Sequence, residues 1–246
     1  MKKYRKRIGL ATLAFAGVLC TSDNNPGEDK GNYFTKEQLD ALYDATFRVN
    51  TTITLEQKVD DDQDFLKLWF GSGTLIVDSQ TGDNYILTAE HITSDGMYTS
   101  QKTGRTTKIV REVIMVGGHE ASVFKEDEEN DLALLKVDGY LKDINDQPVK
   151  PFRGKIAKYL DPQDYVIGAG FPRGNKELFN TRVKKIADDK TFLDIYMIGG
   201  NSGGGVYLIN EKELQLCGVV TKTNNIPSLQ KFRKFLTGTP LEDDYL

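Results

Sequence analysis

The chain has 246 residues, of which 39% are hydrophobic and 28% are charged, and its formal net charge is -4. This composition excludes a largely disordered chain, and the length suits one large all-β domain or two small ones. The negative charge argues against a nucleic-acid partner, because phosphate binding needs a basic surface. Two histidines and two cysteines far apart in the sequence cannot build a zinc site, so we expect no metal and no cofactor.

Residues 1–20 are predicted to be a signal peptide or a lipoprotein signal. A basic stretch at residues 2–7 precedes an apolar stretch at residues 8–20. That apolar stretch is too short to span a bilayer, which takes about 20 residues, but it has the length of a signal-peptide core. We therefore expect export of the mature domain to the periplasm or cell envelope, or its secretion.

Three ways of processing this segment are compatible with the sequence. Cys20 followed by polar residues is typical of a bacterial lipoprotein, and a lipid on Cys20 would attach the protein to a membrane. Leu19, however, occupies a position where lipoproteins have a small residue, and Ala14-Phe15-Ala16 offers an ordinary signal-peptidase site. An uncleaved anchor is the third alternative. If Cys20 is removed or lipidated, Cys217 is left unpaired, and its apolar surroundings predict a buried position on a strand.

Beyond the signal, residues 21–34 are interpreted as a polar tether. A helix is predicted from Thr35, with Gln38 as its capping-box partner. Alternating β-branched residues then predict a first strand at 47–55, and a last helix is predicted at 228–236, with Ser228 as its N-cap and Gly238 just past its end. Between them lie short runs separated by turn residues, which is typical of barrels and sandwiches. Strands are predicted at 65–70, 74–77, 85–88, 108–116, 132–137, 165–169, 192–196, 205–208 and 214–221.

Ser202 lies in a glycine-rich segment, residues 199–205. A nucleophilic serine needs close approach by the substrate backbone and nearby N–H groups for the oxyanion, and glycines permit the necessary turn. The alternative is a flexible turn without a chemical role. The segment also fits the Gly-x-Ser-x-Gly pattern of α/β-hydrolases. That fold places its histidine after the serine, whereas both histidines, His91 and His119, precede Ser202.

His91 and Asp131 complete a candidate catalytic triad. His91 ends an apolar run, and this would hold the imidazole on a rigid element. Asp131 precedes the apolar run 132–137, where an acid can be partly buried, fix the imidazole tautomer and stabilise the imidazolium. Taken singly, His91 could be an ordinary structural histidine and Asp131 an ordinary loop acid. The order His, Asp, Ser is that of chymotrypsin-type enzymes, and finding all three in this order favours the catalytic interpretation.

Five motifs stand out along the chain: GSGTLI at 71–76, TAEH at 88–91, NDLALL at 130–135, DYVIGAGFPRG at 164–174 and GNSGG at 200–204. With these motifs, the sequence from about residue 65 to residue 236 resembles the trypsin-like serine proteases, in particular their HtrA-like branch. Asp194 also lies where that branch has an Asp upstream of the serine.

The resemblance implies an all-β, chymotrypsin-like fold of two six-stranded antiparallel β-barrels, with a short N-terminal helix and a C-terminal helix. The protease domain is expected over residues 35–240, with the boundary between the barrels near 140–160 and the active site in the cleft between them. No room for a PDZ domain is expected after residue 236. The implied activity is hydrolysis of a polypeptide substrate by a serine endopeptidase.

The resemblance also assigns further site residues. The backbone N–H groups of Gly200 and Ser202 would form the oxyanion hole. The primary specificity pocket would be walled by residues 194–199 and 220–222, with Tyr196 and Thr221 as substrate-binding residues. Tyr196 and Met197 would narrow this pocket, which favours small or medium apolar side chains.

Two departures from the family pattern keep other functions open. Glu90 stands beside the histidine where relatives have a small residue, and Gly205 follows the serine motif where relatives have proline. One alternative is therefore a catalytically silent fold that acts as a binding module. Another is a protease gated by a partner, whose oxyanion loop becomes ordered only on activation.

Overall fold

The structure, a computed structural model, describes residues 34–246 except 58–65, 94–96, 101, 140, 143–147, 197, 211–212 and 222–224. The predicted signal at 1–20, the tether up to residue 33, and Met197 lie outside the described residues. Within the described part of the chain, no helix is long and apolar enough to cross a membrane.

The described residues form two β-sheets and three α-helices. The strands of the first sheet are β1 (Thr46–Leu55), β2 (Leu66–Val77), β3 (Asn84–Thr88), β4 (Met97–Thr99), β5 (Thr106–Val116), β6 (His119–Asp127) and β7 (Leu132–Val137). Those of the second are β8 (Lys155–Ile156), β9 (Tyr165–Gly170), β10 (Glu177–Ile186), β11 (Lys190–Leu193), β12 (Gly205–Asn210), β13 (Glu213–Val219) and β14 (Asn225–Pro227). The helices are α1 (Lys36–Ala45), α2 (Leu229–Leu236) and α3 (Glu242–Tyr245).

The first sheet is a closed antiparallel barrel. Its strands follow the order β1-β2-β3-β7-β6-β5, and β5 pairs again with β1, so six strands close on themselves while β4 extends the edge beside β5. Every second residue of β1 faces inward, so that Val49 and Ile53 are fully buried. This alternation is the pattern from which the strand was predicted.

The second sheet is a half-barrel. Its order is β14-β11-β10-β9-β12-β13-β8, and β8 pairs with β13 in parallel rather than antiparallel. No pairing between β8 and β14 closes this sheet within the described residues. Both edge strands are too short to form a long ladder, since β8 has two residues and β14 three. The predicted chymotrypsin-like, mostly β architecture is confirmed, with this difference in the second half.

Helices α1 and α2 follow the sequence prediction with one exception, but α2 is not the last helix as predicted, because α3 follows it. Gln38 N–H donates to Thr35 Oγ1 at 3.3 Å and Thr35 N–H donates to Gln38 Oε1 at 2.8 Å, so the capping box of α1 is present. Gly238, with φ +75°, follows α2 as expected. Ser228 occupies the N-cap position of α2, as predicted, but its side chain makes no capping hydrogen bond. Its hydroxyl is buried and makes no hydrogen bond in the described structure.

A shared core joins the two sheets and the helices. It contains Leu42 from α1, Leu134 from the first sheet, Tyr207 from the second and Phe232 from α2, all fully buried. Within it, the hydroxyls of Thr74 and Tyr207 are hydrogen-bonded at 2.8 Å and link β2 to β12. The end of β3, the turn before β7 and the loop before β12 are thereby held on one rigid body.

Candidate active site

His91 lies on a short 3-10 helix, Glu90–Ile92, directly after β3. The Thr93 backbone N–H and hydroxyl both donate to the Glu90 carbonyl, at 2.8 and 2.6 Å. The Thr51 hydroxyl donates to the Ile92 carbonyl at 2.6 Å and ties this turn to β1. These bonds fix the backbone on both sides of His91.

Asp131 ends the turn that leads into β7. Its φ of +55° lies in the left-handed region, which few residues other than glycine adopt and which aspartate tolerates better than most. The turn is closed by bonds from Asp131 N–H to the Glu128 carbonyl at 3.3 Å and from Asn130 N–H to Asp127 Oδ1 at 3.1 Å. The carboxylate of Asp131 reaches His91 from this turn.

The two side chains form a close, partly buried pair. Nδ1 of His91 lies 2.8 Å from Oδ1 and 2.9 Å from Oδ2 of Asp131, and the His91 backbone N–H donates to Oδ1 at 2.9 Å. The side chains are 23% and 13% exposed. Because an ionised carboxylate can only accept, Nδ1 must carry the proton. In the neutral ring Nε2 is then unprotonated and able to act as a base.

Ser202 is presented by a loop that only glycine can form at two positions. Gly200 and Gly203 have φ values of +100° and +81°. A Cβ on Gly200 would lie 2.2 Å from the Phe171 carbonyl oxygen, and one on Gly203 would lie 2.1 Å from the Ser72 carbonyl oxygen. The loop is therefore packed tightly against neighbouring backbone.

Several backbone hydrogen bonds hold this loop in place. Ser72 N–H donates to the Ser202 carbonyl at 2.7 Å, Gly203 N–H to the Val220 carbonyl at 2.7 Å, and Asn201 N–H to the Ile198 carbonyl at 3.1 Å. The N–H groups of Gly200 and Ser202, by contrast, donate to no acceptor in the described part of the chain. Both remain available to a developing oxyanion.

His91 and Ser202 line the same open cleft, which has a volume of about 1000 Å³. Within the described residues no hydrogen bond joins Ser202 Oγ to His91 Nε2. Such bonds are often long before substrate binds and shorten in the substrate complex. The cleft also contains a group of apolar side chains: Leu68, Trp69, Phe70, Met97, Tyr98 and Ile198.

The two residues predicted to bind substrate lie outside this cleft lining. Tyr196 is 85% exposed, and Thr221 is buried, where its hydroxyl donates to the carbonyl and side-chain oxygens of Asn225. Contact of either residue with substrate stays a prediction. The sequence analysis did not single out Phe70 or Arg173, which do line the cleft. Arg173 falls in the 164–174 motif, and this was the available signal.

The two departures from the family pattern have different structural settings. Glu90 is 7% exposed and lines the cleft beside His91. A Cβ on Gly205 would lie 2.2 Å from the Tyr207 hydroxyl and 2.6 Å from Thr74 Oγ1. The hydroxyl pair between the sheets therefore occupies the space that a proline ring would need.

Comparison with known proteins places the chain in a family. The sequence profile described as "Trypsin-like peptidase domain" matches residues 71–219, more than half of the chain. The fold is similar to that of Rv3671c from M. tuberculosis H37Rv, solved as a serine-to-alanine mutant in an inactive form. The TM-score is 0.51 at 16% identity, over 80% of this chain and 87% of that one. No curated protein sequence matches this chain. The chain belongs to the trypsin-like peptidase domain family.

Proposed function

We propose that this protein is a serine endopeptidase that hydrolyses peptide bonds through an acyl-enzyme, with His91, Asp131 and Ser202 as its catalytic triad. One observation carries the proposal. The Asp131 carboxylate is hydrogen-bonded to Nδ1 of His91 in a cleft that Ser202 also lines. This is the arrangement needed to make Nε2 a general base for a serine hydroxyl.

The first half of the reaction forms the acyl-enzyme. Ser202 Oγ attacks the peptide carbonyl carbon, and its proton passes to His91 Nε2. Asp131 stabilises the resulting imidazolium, and the N–H groups of Gly200 and Ser202 donate to the oxyanion. Loss of one such donor typically costs about 3 kcal/mol in the transition state. The C–N bond then breaks as Nε2 gives the proton to the leaving amine.

The second half releases the product. His91 Nε2 takes a proton from water while the water oxygen attacks the acyl carbon. The C–O bond to Ser202 then breaks, and Oγ recovers the proton from Nε2. Each residue returns to its starting state, as catalysis requires.

The substrate class proposed is an extended polypeptide with apolar side chains. Several apolar residues line the cleft, and two of them, Phe70 and Ile198, are 36% and 39% exposed, so they can contact a bound chain. By family resemblance, Tyr196 narrows the primary pocket beside Thr221 and favours small or medium apolar residues. Cleavage of a peptide library tests this preference, and cleavage mainly after basic residues would contradict it.

Export is proposed from the signal-like segment at residues 1–20. Lipid on Cys20 would then hold the protein at the cell envelope. Metabolic labelling with radioactive palmitate should mark the wild-type chain but not Cys20→Ala. Absence of label from both, with the chain recovered as a secreted protein, would favour cleavage after Ala16.

The test of the proposed activity is hydrolysis of unfolded casein by the purified chain. Ser202→Ala and His91→Ala should each lower the rate by at least about a thousandfold. Ser228→Ala is the matched serine control, because Ser228 is buried at the start of α2, and it should retain the wild-type rate. A folded wild-type chain that binds casein but releases no product would instead support the binding-module alternative. Hydrolysis that appears only after a partner peptide is added would support the gated alternative.

A further inference from the structure

Ser72 joins β2 of the first barrel to two segments of the second half of the protein. It is fully buried. Its hydroxyl donates to the Gly200 carbonyl at 2.6 Å and accepts from the Phe171 backbone N–H at 2.8 Å. Its backbone N–H donates to the Ser202 carbonyl at 2.7 Å. A single residue thus supplies three hydrogen bonds around the catalytic loop.

Two of these bonds are made to the residues that carry the candidate oxyanion donors. The carbonyls of Gly200 and Ser202 are both held by Ser72, one by its hydroxyl and one by its amide. The N–H groups of the same two loop residues donate to nothing in the described structure. The carbonyls are therefore fixed toward β2, while the N–H groups are left for a ligand in the cleft.

The Gly200 carbonyl depends on the hydroxyl in particular. Peptide units are planar and rigid, so fixing this oxygen fixes the plane that connects Gly200 to Asn201. Gly200 itself, at φ +100° and without a side chain, offers little resistance to rotation about its backbone. A buried carbonyl deprived of its donor turns toward another one. The Gly200 N–H belongs to the preceding peptide unit, and the two units are joined at the Cα of Gly200, so such a rotation also allows the φ of Gly200 and the direction of its N–H to change.

We propose that Ser72 is a positioning residue whose hydroxyl holds the oxyanion loop in its reactive arrangement. This inference rests on the proposed serine-protease function and deepens it. Ser72 does not touch substrate; it acts through Gly200 and, by way of the Phe171 N–H, through the end of β9. The reactive serine therefore sits on one half of the protein while a key support for its oxyanion hole comes from the other.

The competing explanation is that Ser72 merely helps to hold the two sheets together. Tyr207 offers a matched control for that role. Its hydroxyl is fully buried and bonds Thr74, two residues beyond Ser72 on the same strand, at 2.8 Å. Tyr207→Phe and Ser72→Ala each remove one buried hydroxyl that links β2 to the second half. Only Ser72→Ala removes a hydrogen bond to the Gly200 carbonyl.

The experiment compares the rate of labelling by a fluorophosphonate probe in wild type, Ser72→Ala and Tyr207→Phe. In this reaction Ser202 Oγ forms a bond to phosphorus, fluoride leaves, and the hydroxyl proton passes to His91. The phosphoryl oxygen needs the oxyanion donors. Ser72→Ala should react with the probe about ten- to a hundredfold more slowly than wild type. In hydrolysis of p-nitrophenyl acetate, its kcat should be lower than that of wild type, while its KM stays within twofold. Tyr207→Phe should remain within twofold of wild type in all three quantities.

The possible outcomes distinguish failure of the proposed role of Ser72 from failure of the proposed protease function. A folded wild type that does not label would overturn the proposed function and the role of Ser72 with it. Wild-type labelling at Ser202, with Ser72→Ala equally fast or Tyr207→Phe equally slow, would overturn the role of Ser72 alone. Should Ser72→Ala fail to fold, Ser72→Thr and Ser72→Val provide the same comparison at matched shape. The hydroxyl-bearing variant should then label at least tenfold faster, and equal rates would contradict the inference.

Discussion

Asp131 holds His91 at two separate points. Its carboxylate accepts a hydrogen bond from the His91 backbone N–H at 2.9 Å and another from ring Nδ1 at 2.8 Å. The same group thus fixes the position of the 3-10 turn and the orientation of the imidazole. Its own backbone adopts the uncommon left-handed conformation to do so.

Asp131→Asn should leave the fold intact and lower kcat for peptide hydrolysis by about 10⁴-fold. The amide oxygen can still accept from the backbone N–H, but the amide NH₂ would donate to Nδ1 and move the ring proton to Nε2. Asp127→Asn is the control, since Asp127 caps the same turn without touching His91. Similar kcat values for Asp131→Asn and wild type would contradict the assigned role.

Gly200→Ala should lower kcat at least a hundredfold while the far-UV circular dichroism is unchanged. The new Cβ would lie 2.2 Å from the Phe171 carbonyl oxygen, so the backbone that carries the oxyanion donor must move. Gly238→Ala is the control for backbone strain. Gly238 also has a positive φ, +75°, but a Cβ there would have open space around it. Near-wild-type activity of Gly200→Ala would mean that its N–H is not an oxyanion donor.

The sequence predicted the elements whose signals are local. Strand β7 has the predicted bounds, Leu132–Val137, because it is a continuous apolar run between turn residues. The capping box at Thr35 was visible because both of its partners lie three residues apart. The glycines at 71 and 73 predicted a turn between two strands, but the structure has one continuous strand there, β2. Gly71 is needed at this point of the strand for packing rather than for a turn, because the Ile92 side chain occupies the space that a Cβ would need.

Strands defined by distant pairing were missed. β6, His119–Asp127, carries mostly exposed polar residues and buries only Ala121, so no apolar alternation marked it. His119 is half-buried and begins this strand. β10 was missed for the same reason, and β4, β8 and β14 are too short to give a pattern.

In the candidate site, too, residues in local motifs could be predicted from the sequence and long-range contacts could not. His91, Asp131 and Ser202 were identified as candidates from short motifs. The structure brings His91 and Ser202 to one cleft and pairs Asp131 with His91. The contribution of Ser72 could not be predicted from spacing, because 128 residues separate it from the Gly200 carbonyl that it holds. Only the folded packing of the two sheets makes that contact.

The stability of the protein should decrease at alkaline pH, partly through Tyr207. Complete burial raises the pKa of its phenol, and the hydrogen bond to Thr74 opposes this only in part. In the unfolded chain a tyrosine titrates near pH 10. Above that pH the unfolded chain loses a proton that the folded protein retains. The contribution of Tyr207 to the free energy of unfolding is therefore complete below about pH 10. It decreases as pH rises further, by up to about 1.4 kcal/mol per pH unit.

Urea denaturation at pH 8, 9.5 and 10.5 measures this effect. Tyr207→Phe should be less stable than wild type at pH 8 because it lacks the hydrogen bond to Thr74. Its free energy of unfolding should then fall less between pH 9.5 and 10.5. Parallel curves for the two proteins would show that Tyr207 does not contribute to the alkaline transition.

Cys217 should be unreactive in the folded protein. It is a fully buried free cysteine, and burial raises the pKa of its thiol, with a further contribution from the charge of Asp164. The thiolate is the nucleophile, so little of it exists at pH 8. Iodoacetamide should leave the Cys217 peptide unmodified in the native chain and alkylate it in urea, as read by peptide mass spectrometry. Rapid alkylation of the native chain would contradict the buried placement.

If Ser202 is a nucleophile activated by His91 and Asp131, it should react with a fluorophosphonate probe. Peptide mass spectrometry of the purified, labelled chain locates the adduct. We expect a single adduct on Ser202 in wild type and none in Ser202→Ala or His91→Ala. A folded wild-type chain without an adduct, or labelling that persists at Ser202 in His91→Ala, would contradict this expectation.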